Sequence, residues 1–587
     1  MAHRAITTAK NKERVFWIIL SGIMLIRLFV GIKIPVYIIP DSAFDDYLMI
    51  GYASLNTHFQ NYDMLSLVKT MSYPLFLAAS HVLGLSYRFS LALIWIIAAL
   101  VVLFAVRRFT KNRWFLAAVF TFVLFSPTAF DSDIGLRVYR NAILAPCTVI
   151  TVGLMLHLVL GVLLKDRLRK NILVSIGLGF AFSFYYYIKE DSVYMMPLLI
   201  VVALVCLALW LYRAKKGPGF KQGFLKVFWV ALIPLLIFVG CTNAYKAINN
   251  KYFGVYETNT RNEGAFGGFA SRVLRVEDPE KTYALWVPYS TVLKVWNASP
   301  TLQAEPGLLE ALLADTWDGD IQSGQVLADH FFWKLRLVLS AQGYYENEQK
   351  AEGFLSRVNA DLDAAVANGG LKLFDDRIYL SSQAPGRTFD EILSLGPLVA
   401  EGVHAHLMYE GYSSTENNSF TEMTPEFVLQ DKDPKIDQAD FILNENLDKP
   451  DSFSIREFTF FLDMANRICQ LYRLLAYPVI AVSVLGIAAL FVRLVRRRAH
   501  PLDVLASCAL FVCLGYALLV VFGIAWWGQW FTGAEKQYAV PAAAFFQLAE
   551  VFALLYGARL LKAWWLAIKS LLRGKPAKGR GDPVLLA

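Results

Sequence analysis

Charge is scarce in this 587-residue chain: 18% of its residues are Asp, Glu, Lys or Arg, against 56% apolar and 14% aromatic. So little charge excludes an ordinary water-soluble domain and points to an integral membrane protein. Cysteine is also sparse. The six thiols (Cys147, Cys206, Cys241, Cys469, Cys508, Cys513) lie in or beside apolar runs, with no C-x-x-C spacing and no histidines placed for zinc. Neither a disulfide framework nor a metal cage is indicated. Cys241 and Cys469 flank the polar part of the chain, but separation in sequence does not set the Cα spacing that a disulfide requires. Internal repeats and low-complexity tracts are absent. The net charge of +8 is not gathered into one basic surface interleaved with aromatics, which argues against a nucleic-acid partner.

What is present is a series of apolar runs. The first, Val15 to Ile39, follows a basic start (Lys10, Lys12, Arg14). At 1.5 Å per residue it is long enough to cross a bilayer, and it is too long for a signal-peptide core. Others follow at about 89–106, 114–129, 141–164, 171–188, 192–212, 226–246, 470–492, 502–526 and 538–561. About ten spans are therefore expected in an α-helical polytopic protein. Basic clusters at 107–113, 165–170, 213–226, 493–498 and 575–580 all fall on one side of a strictly alternating ten-span path. The positive-inside rule makes that side, and both termini, cytoplasmic, as in a multi-pass protein of a cell (inner or cytoplasmic) membrane. The stretch Met71–Leu85 is short for a span and reads as an interfacial or re-entrant helix.

Between about 249 and 468 the chain changes character. This interval holds 18 Lys and Arg against 34 Asp and Glu, a net of −16, leaving +24 for the rest. Such a split fits a large, mainly helical, acidic extracytoplasmic domain on a membrane part with basic cytoplasmic loops. Its 349–366 segment places Phe354, Leu355, Val358, Leu362 and Ala365 at helical period. The division expected is 1–248 as an N-terminal transmembrane catalytic module, 249–468 as an extracytoplasmic domain, and 469–587 as C-terminal spans with a basic tail.

Four polar groups fall on the outer face of this path. They are Asp41, Asp45 and Asp46 after the first run; Asp131, Asp133, Arg137 and Arg140 between the third and fourth; Lys189, Glu190 and Asp191 between the fifth and sixth; and Trp526 to Tyr538, with Lys536, between the last two. Carboxylates at a bilayer face activate an acceptor or bind a cation beside a lipid-borne substrate. With a lipid-linked sugar phosphate, Asp45 or Asp46 would take the acceptor's proton. Arg137, Arg140, Lys189 and Lys536 would meet the phosphate, arginine with the better fork. The bland readings are Asx turns for the Asp-x-Asp loop, a local Lys189–Glu190 pair, and an interfacial aromatic belt for the Trp-rich loop. Arg27, inside the first run, is expected to pair with an intramembrane acid or carbonyl. His404 and His406 have no ligand pattern around them and read as surface residues.

The Phe44-Asp45-Asp46-Tyr47 sequence after the first run resembles the acidic first-loop motif of the GT-C glycosyltransferases, commonly Asp-Glu or Asp-Asp. The Tyr73-Pro74-Leu75-Phe76-Leu77 helix, the Asp131/Asp133 loop and the Lys189-Glu190-Asp191-Ser192 lead into the sixth run are similar to further parts of that pattern. The likeness covers about 1–245, the seven-span module. It implies an inverting transfer from a polyprenyl-phosphate-linked sugar donor, on the extracytoplasmic face, to a glycan, lipid or protein acceptor. By position, Asp45 is the general base and Asp46 its helper or a metal ligand. Asp131, Asp133 and Glu190 fall with the basic residues as substrate-binding candidates. Asp46 stands where a glutamate is common. Some members need a divalent cation (Mg or Mn) and others do not, so a metal stays open, with Asp45 and Asp46 to hold it. The rivals are a transporter or flippase, which would place charged or broken-helix sites at the midplane of repeated halves, and a non-enzymatic receptor or assembly protein for envelope glycans.

Overall fold

The computed structural model describes residues 2–39, 45–55, 59, 61–213, 220–316, 319–415, 442–444, 455–496, 499–527 and 536–572. Asp41 and most of the Trp-rich loop, 528–535, lie outside them. The chain is a polytopic helical membrane protein. Among the described residues extended structure is confined to isolated bridges. In the membrane part the helices are α1 (Ala2–Lys33), α2 (Asp46–Ala53), α3 (Ser72–Val82), α4 (Tyr87–Val106), α5 (Arg113–Leu124), α6 (Asn141–Leu163), α7 (Leu168–Tyr186), α8 (Met196–Arg213) and α9 (Phe220–Phe253).

Eight helices among the described residues are long and apolar enough to cross a membrane. The two other expected runs, α7 and α5, are helices that fall short of that apolarity or length. The first turn of α7 carries Arg169, Lys170 and Asn171, which dilutes its apolar length. The 12-residue α5 rises only about 18 Å at 1.5 Å per residue, well short of a hydrocarbon core of about 30 Å.

Because α5 stops inside the bundle, its last carbonyls have no helical partner, and in an apolar setting such groups must be satisfied by side chains. Three other helices supply them. Arg27 of α1 donates from Nε to the Leu124 carbonyl at 3.3 Å, with its guanidinium over the Phe130 ring at 4.8 Å. Tyr472 and Gln547 both donate to the Phe122 carbonyl, at 2.6 and 2.7 Å. The intramembrane arginine therefore pairs with a carbonyl, as expected of it. Beyond α5 the chain turns inward, and residues 126–149 are buried without exception. The Asp131/Asp133 loop, expected at the outer face between two spans, is buried in the interior.

Outside the spans, one hydrophobic core gathers residues between Ala265 and Leu371. The helix expected at 349–366 is there as Glu348–Ala367, with Phe354, Leu355, Val358, Leu362 and Ala365 inward. The later part of the interval packs elsewhere: Met408, Tyr409 and Tyr412 belong to the core of the span bundle. His406, read as surface, is 2% exposed because the Gly396–Met408 helix turns this side toward the bundle with Ala405 and Met408; His404 is exposed. All six cysteines are free thiols.

The C-terminal spans Ile455–Val495 and Val540–Leu572 cross at two glycines. A Cβ on Gly486 would lie 1.9 Å from the Ala553 carbonyl oxygen, and one on Gly557 2.2 Å from that of Val482. Small residues allow such backbone approach between membrane helices. We expect Gly486→Ala to force the helices apart and to destabilise by about 1–3 kcal/mol, as overpacked sites do; thermal melting in detergent measures it, and an unchanged midpoint would mean the crossing is loose.

Candidate active site

The first acid loop is organised from below by a two-residue parallel pairing. Tyr37 donates its N–H to the Leu136 carbonyl at 3.0 Å and accepts from Val138 N–H at 2.8 Å, while its hydroxyl donates to the Ser132 carbonyl at 2.8 Å. This pairing sets Arg137 against the start of α2. The Arg137 fork reaches Asp46 from Nε at 3.1 and 3.0 Å and from Nη2 at 2.5 Å. Asp46 also accepts the Ile39 N–H at 3.0 Å and is 0% exposed. Burial pushes its carboxyl up and Arg137 draws it back down. The geometry is that of an ion pair, with the guanidinium Nε shared between both carboxylate oxygens and Nη2 on one of them.

Asp45, the next residue back, faces a different set. Its Oδ2 meets Lys69 Nζ at 2.6 Å and the Tyr139 hydroxyl, which donates at 3.1 Å. Its side chain is 26% exposed against 0% for Asp46, so it is the open carboxylate of the two. Burial raises the Asp45 carboxyl, but Lys69 and Arg140, with Arg261 further off, more than offset that and hold it well below the usual carboxylate range. Arg140 donates to the Tyr139 hydroxyl at 2.9 Å and to Glu190 Oε2 at 2.6 Å.

Lys69 is placed by the helical domain outside the spans. Arg336 Nε donates to the Met64 carbonyl at 2.7 Å, Thr260 N–H to the Leu67 carbonyl at 2.8 Å, and Tyr62 to Glu348 at 2.6 Å. On the other side, Thr70 N–H meets Glu190 at 3.3 Å. Trp333 carries both Lys69, at 5.3 Å from its ring centre, and Arg261, at 4.8 Å, and Arg261 pairs with Asp329. Burial lowers the Lys69 ammonium, with Asp45 acting against it.

The second acid loop holds a third group. Lys536 Nζ is 2.6 Å from Asp131 and 3.4 Å from Asp133, and it also donates to the Gly411 carbonyl. Asp131 accepts the Asp133 N–H at 3.0 Å and, from the segment after the Gly396–Met408 helix, the Ser413 N–H at 3.1 Å. Burial pushes the Asp131 carboxyl up, to about 6, against the pull of Lys536. A carboxyl raised in the fold contributes stability when protonated, fully below its unfolded value of about 3.9 and lost as pH rises through about 6. Thermal stability compared over pH 4–7 is expected to lose this contribution across that window in the wild type and not in Asp131→Asn; parallel curves would show that Asp131 is not raised.

The nine residues expected to form a site thus gather at one end of the bundle, but with different surroundings. Asp45, Arg140 and Glu190 meet in one network. Lys189 lies beside it, 3.7 Å from Asp191 and 5.5 Å from the Tyr538 ring centre. Arg137 is committed to Asp46, and Lys536 to Asp131 and Asp133. Lys69, Tyr139, Arg261 and Trp333 were not anticipated. Of these, Lys69 was the findable one, a lysine abutting an apolar stretch too short to span.

As arranged, Asp45 and Asp46 do not fit Mg or Mn between them, because both oxygens of Asp46 hold a guanidinium and Asp45 holds an ammonium. Among the described residues no three His, Cys, Asp or Glu side chains gather as metal ligands.

No family model and no curated protein matches the chain. Among solved structures it is similar to ArnT from Cupriavidus metallidurans, in a crystal structure of the apo state, with 12% identity and a TM-score of 0.27 over 98% of this chain and 84% of that one. So distant a likeness says nothing of the reaction, which has to be argued from the residues.

Proposed function

We propose that the chain is an integral-membrane glycosyltransferase, moving a sugar from a polyprenyl-phosphate donor to an acceptor at the extracytoplasmic face, with inversion. The observation that carries the reading is Asp45, a partly open carboxylate set among Lys69, Arg140 and Arg261. An acceptor O–H or N–H gives its proton to Asp45 as its oxygen or nitrogen bonds to the anomeric carbon. The carbon–oxygen bond to phosphate breaks, and the phosphate leaves with the electron pair and the added charge, which the cations take up. Asp46 is a support that fixes α2 through Arg137.

Depressed as it is, Asp45 is a weak base, and a base works best with a pKa near the working pH. An incoming phosphate that draws Lys69 and Arg140 to itself relieves Asp45 of the charges holding it down, so donor binding strengthens the base. The test is sugar transfer or donor hydrolysis by the purified protein in lipid nanodiscs with a panel of polyprenyl-phosphate sugars. One donor is expected to turn over, and Lys69→Met to lower kcat/KM for it by about 10- to 100-fold, the worth of a hydrogen bond to a charged group. Neither turnover nor binding of any donor would favour a transporter or a receptor.

A further inference from the structure

The segment from Tyr409 to Thr415, which follows the Gly396–Met408 helix, lies like a strap over the second acid loop. Tyr412 shares a hydrogen bond with His406 Nδ1 at 3.0 Å. Ser413 donates its N–H to Asp131, and its carbonyl accepts from Ser132 N–H at 2.8 Å. Ser414 donates to the Leu462 carbonyl at 2.7 Å, and the Gly411 carbonyl takes Lys536. The strap therefore completes the hydrogen bonding of the Asp131–Lys536 pair.

At its head Tyr409 has φ +52°, a left-handed conformation that side chains other than glycine rarely adopt. This residue is the C-cap of the Gly396–Met408 helix, its N–H and that of Glu410 both on the Ala405 carbonyl. Its hydroxyl donates to Glu550 Oε2 at 3.2 Å, and both residues are buried, at 4% and 5% exposure. Glu550 lies within the Val540–Leu572 span, where a carboxyl is expensive unless it serves a purpose; its Oε1 is buried with no partner among the described residues.

We propose that Glu550 is a positioning residue for the second acid loop, acting from inside a membrane span by anchoring Tyr409 and so holding the strap on Asp131. This goes beyond the transferase reading and does not depend on it. The geometry asks for an acceptor oxygen at position 550 and not for a charge, so Glu550→Gln preserves the anchor and Glu550→Ala or Tyr409→Phe removes it.

Hydrogen exchange of the intact protein in nanodiscs, read on peptides covering 409–415, tests this without any activity assay. Tyr409→Phe and Glu550→Ala are expected to speed exchange there by about five- to tenfold, the equivalent of one lost hydrogen bond, with Glu550→Gln within about twofold of wild type. Tyr556→Phe is the control: it loses a buried hydrogen bond from the same helix, to Asp503 at 2.7 Å, away from the strap, and should leave these peptides unchanged. The proposal is overturned if Tyr409→Phe leaves exchange at 409–415 as it was, if Glu550→Gln loosens the strap as much as Glu550→Ala, or if Tyr556→Phe loosens it equally.

Discussion

Arg137→Met is expected to destabilise the protein by about 3–5 kcal/mol, the usual result of stripping a buried ion of its partner. Asp46 would keep the Ile39 N–H at 3.0 Å and lose all three guanidinium contacts, in a place with no exposure to water. Lysine should not rescue the position, since one ammonium cannot replace a planar fork that grips both carboxylate oxygens. The double variant Asp46→Leu with Arg137→Met, which removes both charges, should recover much of the loss, because buried pairs can often be replaced by apolar residues at little cost. Thermal unfolding in detergent of the three proteins tests this. If Arg137→Met melts with the wild type, Asp46 is neutral in the fold and the pair is not what fixes α2.

Much of the fold was legible because it rests on local signals. Long apolar runs name their own helices, and the period of 349–366 named its buried face. What the runs did not show is where a helix stops. Residues 114–129 are as apolar as a span, yet α5 ends at Leu124, and the carbonyls it leaves are answered by Arg27, Tyr472 and Gln547 from 97 to 425 positions away. The candidate site divides in the same way. The acidic loops were visible as composition, and the structure does bring them together. Which cation belongs to which acid was not, since Lys536 meets Asp131 across 405 residues and Arg137 meets Asp46 across 91. Sequence order groups Arg137 with Arg140 as phosphate partners. The pairing at Tyr37 turns the first to Asp46 and leaves the second beside Asp45. His406 was misread for a simpler reason: it was judged by the absence of metal ligands and not by its helical neighbours.

Asp45→Asn and Asp46→Asn are expected to fail in opposite ways, and the contrast is the sharpest test of the two-carboxylate arrangement. Asparagine at 45 keeps the shape and an oxygen for the Tyr139 hydroxyl but cannot take the acceptor's proton, so turnover should fall by about 10²–10⁴-fold, the range for losing a general base. The fold should survive. The side chain is partly open, and Lys69, already pushed below its ordinary pKa by burial, can shed its proton once its counter-ion is gone. Donor binding should hold, because an incoming phosphate gives Lys69 back the counter-ion that the aspartate supplied and restores its proton. Asparagine at 46 instead leaves Arg137 charged and buried at 5% exposure with no carboxylate, so the expected loss is of stability, and activity per folded molecule falls less. Turnover on the donor identified for the wild type, normalised to folded protein, and melting temperature decide the matter together. An Asp45→Asn protein that turns over normally while Asp46→Asn folds normally and is inactive would exchange the two roles, and the proton would have to be assigned to the carboxylate under Arg137.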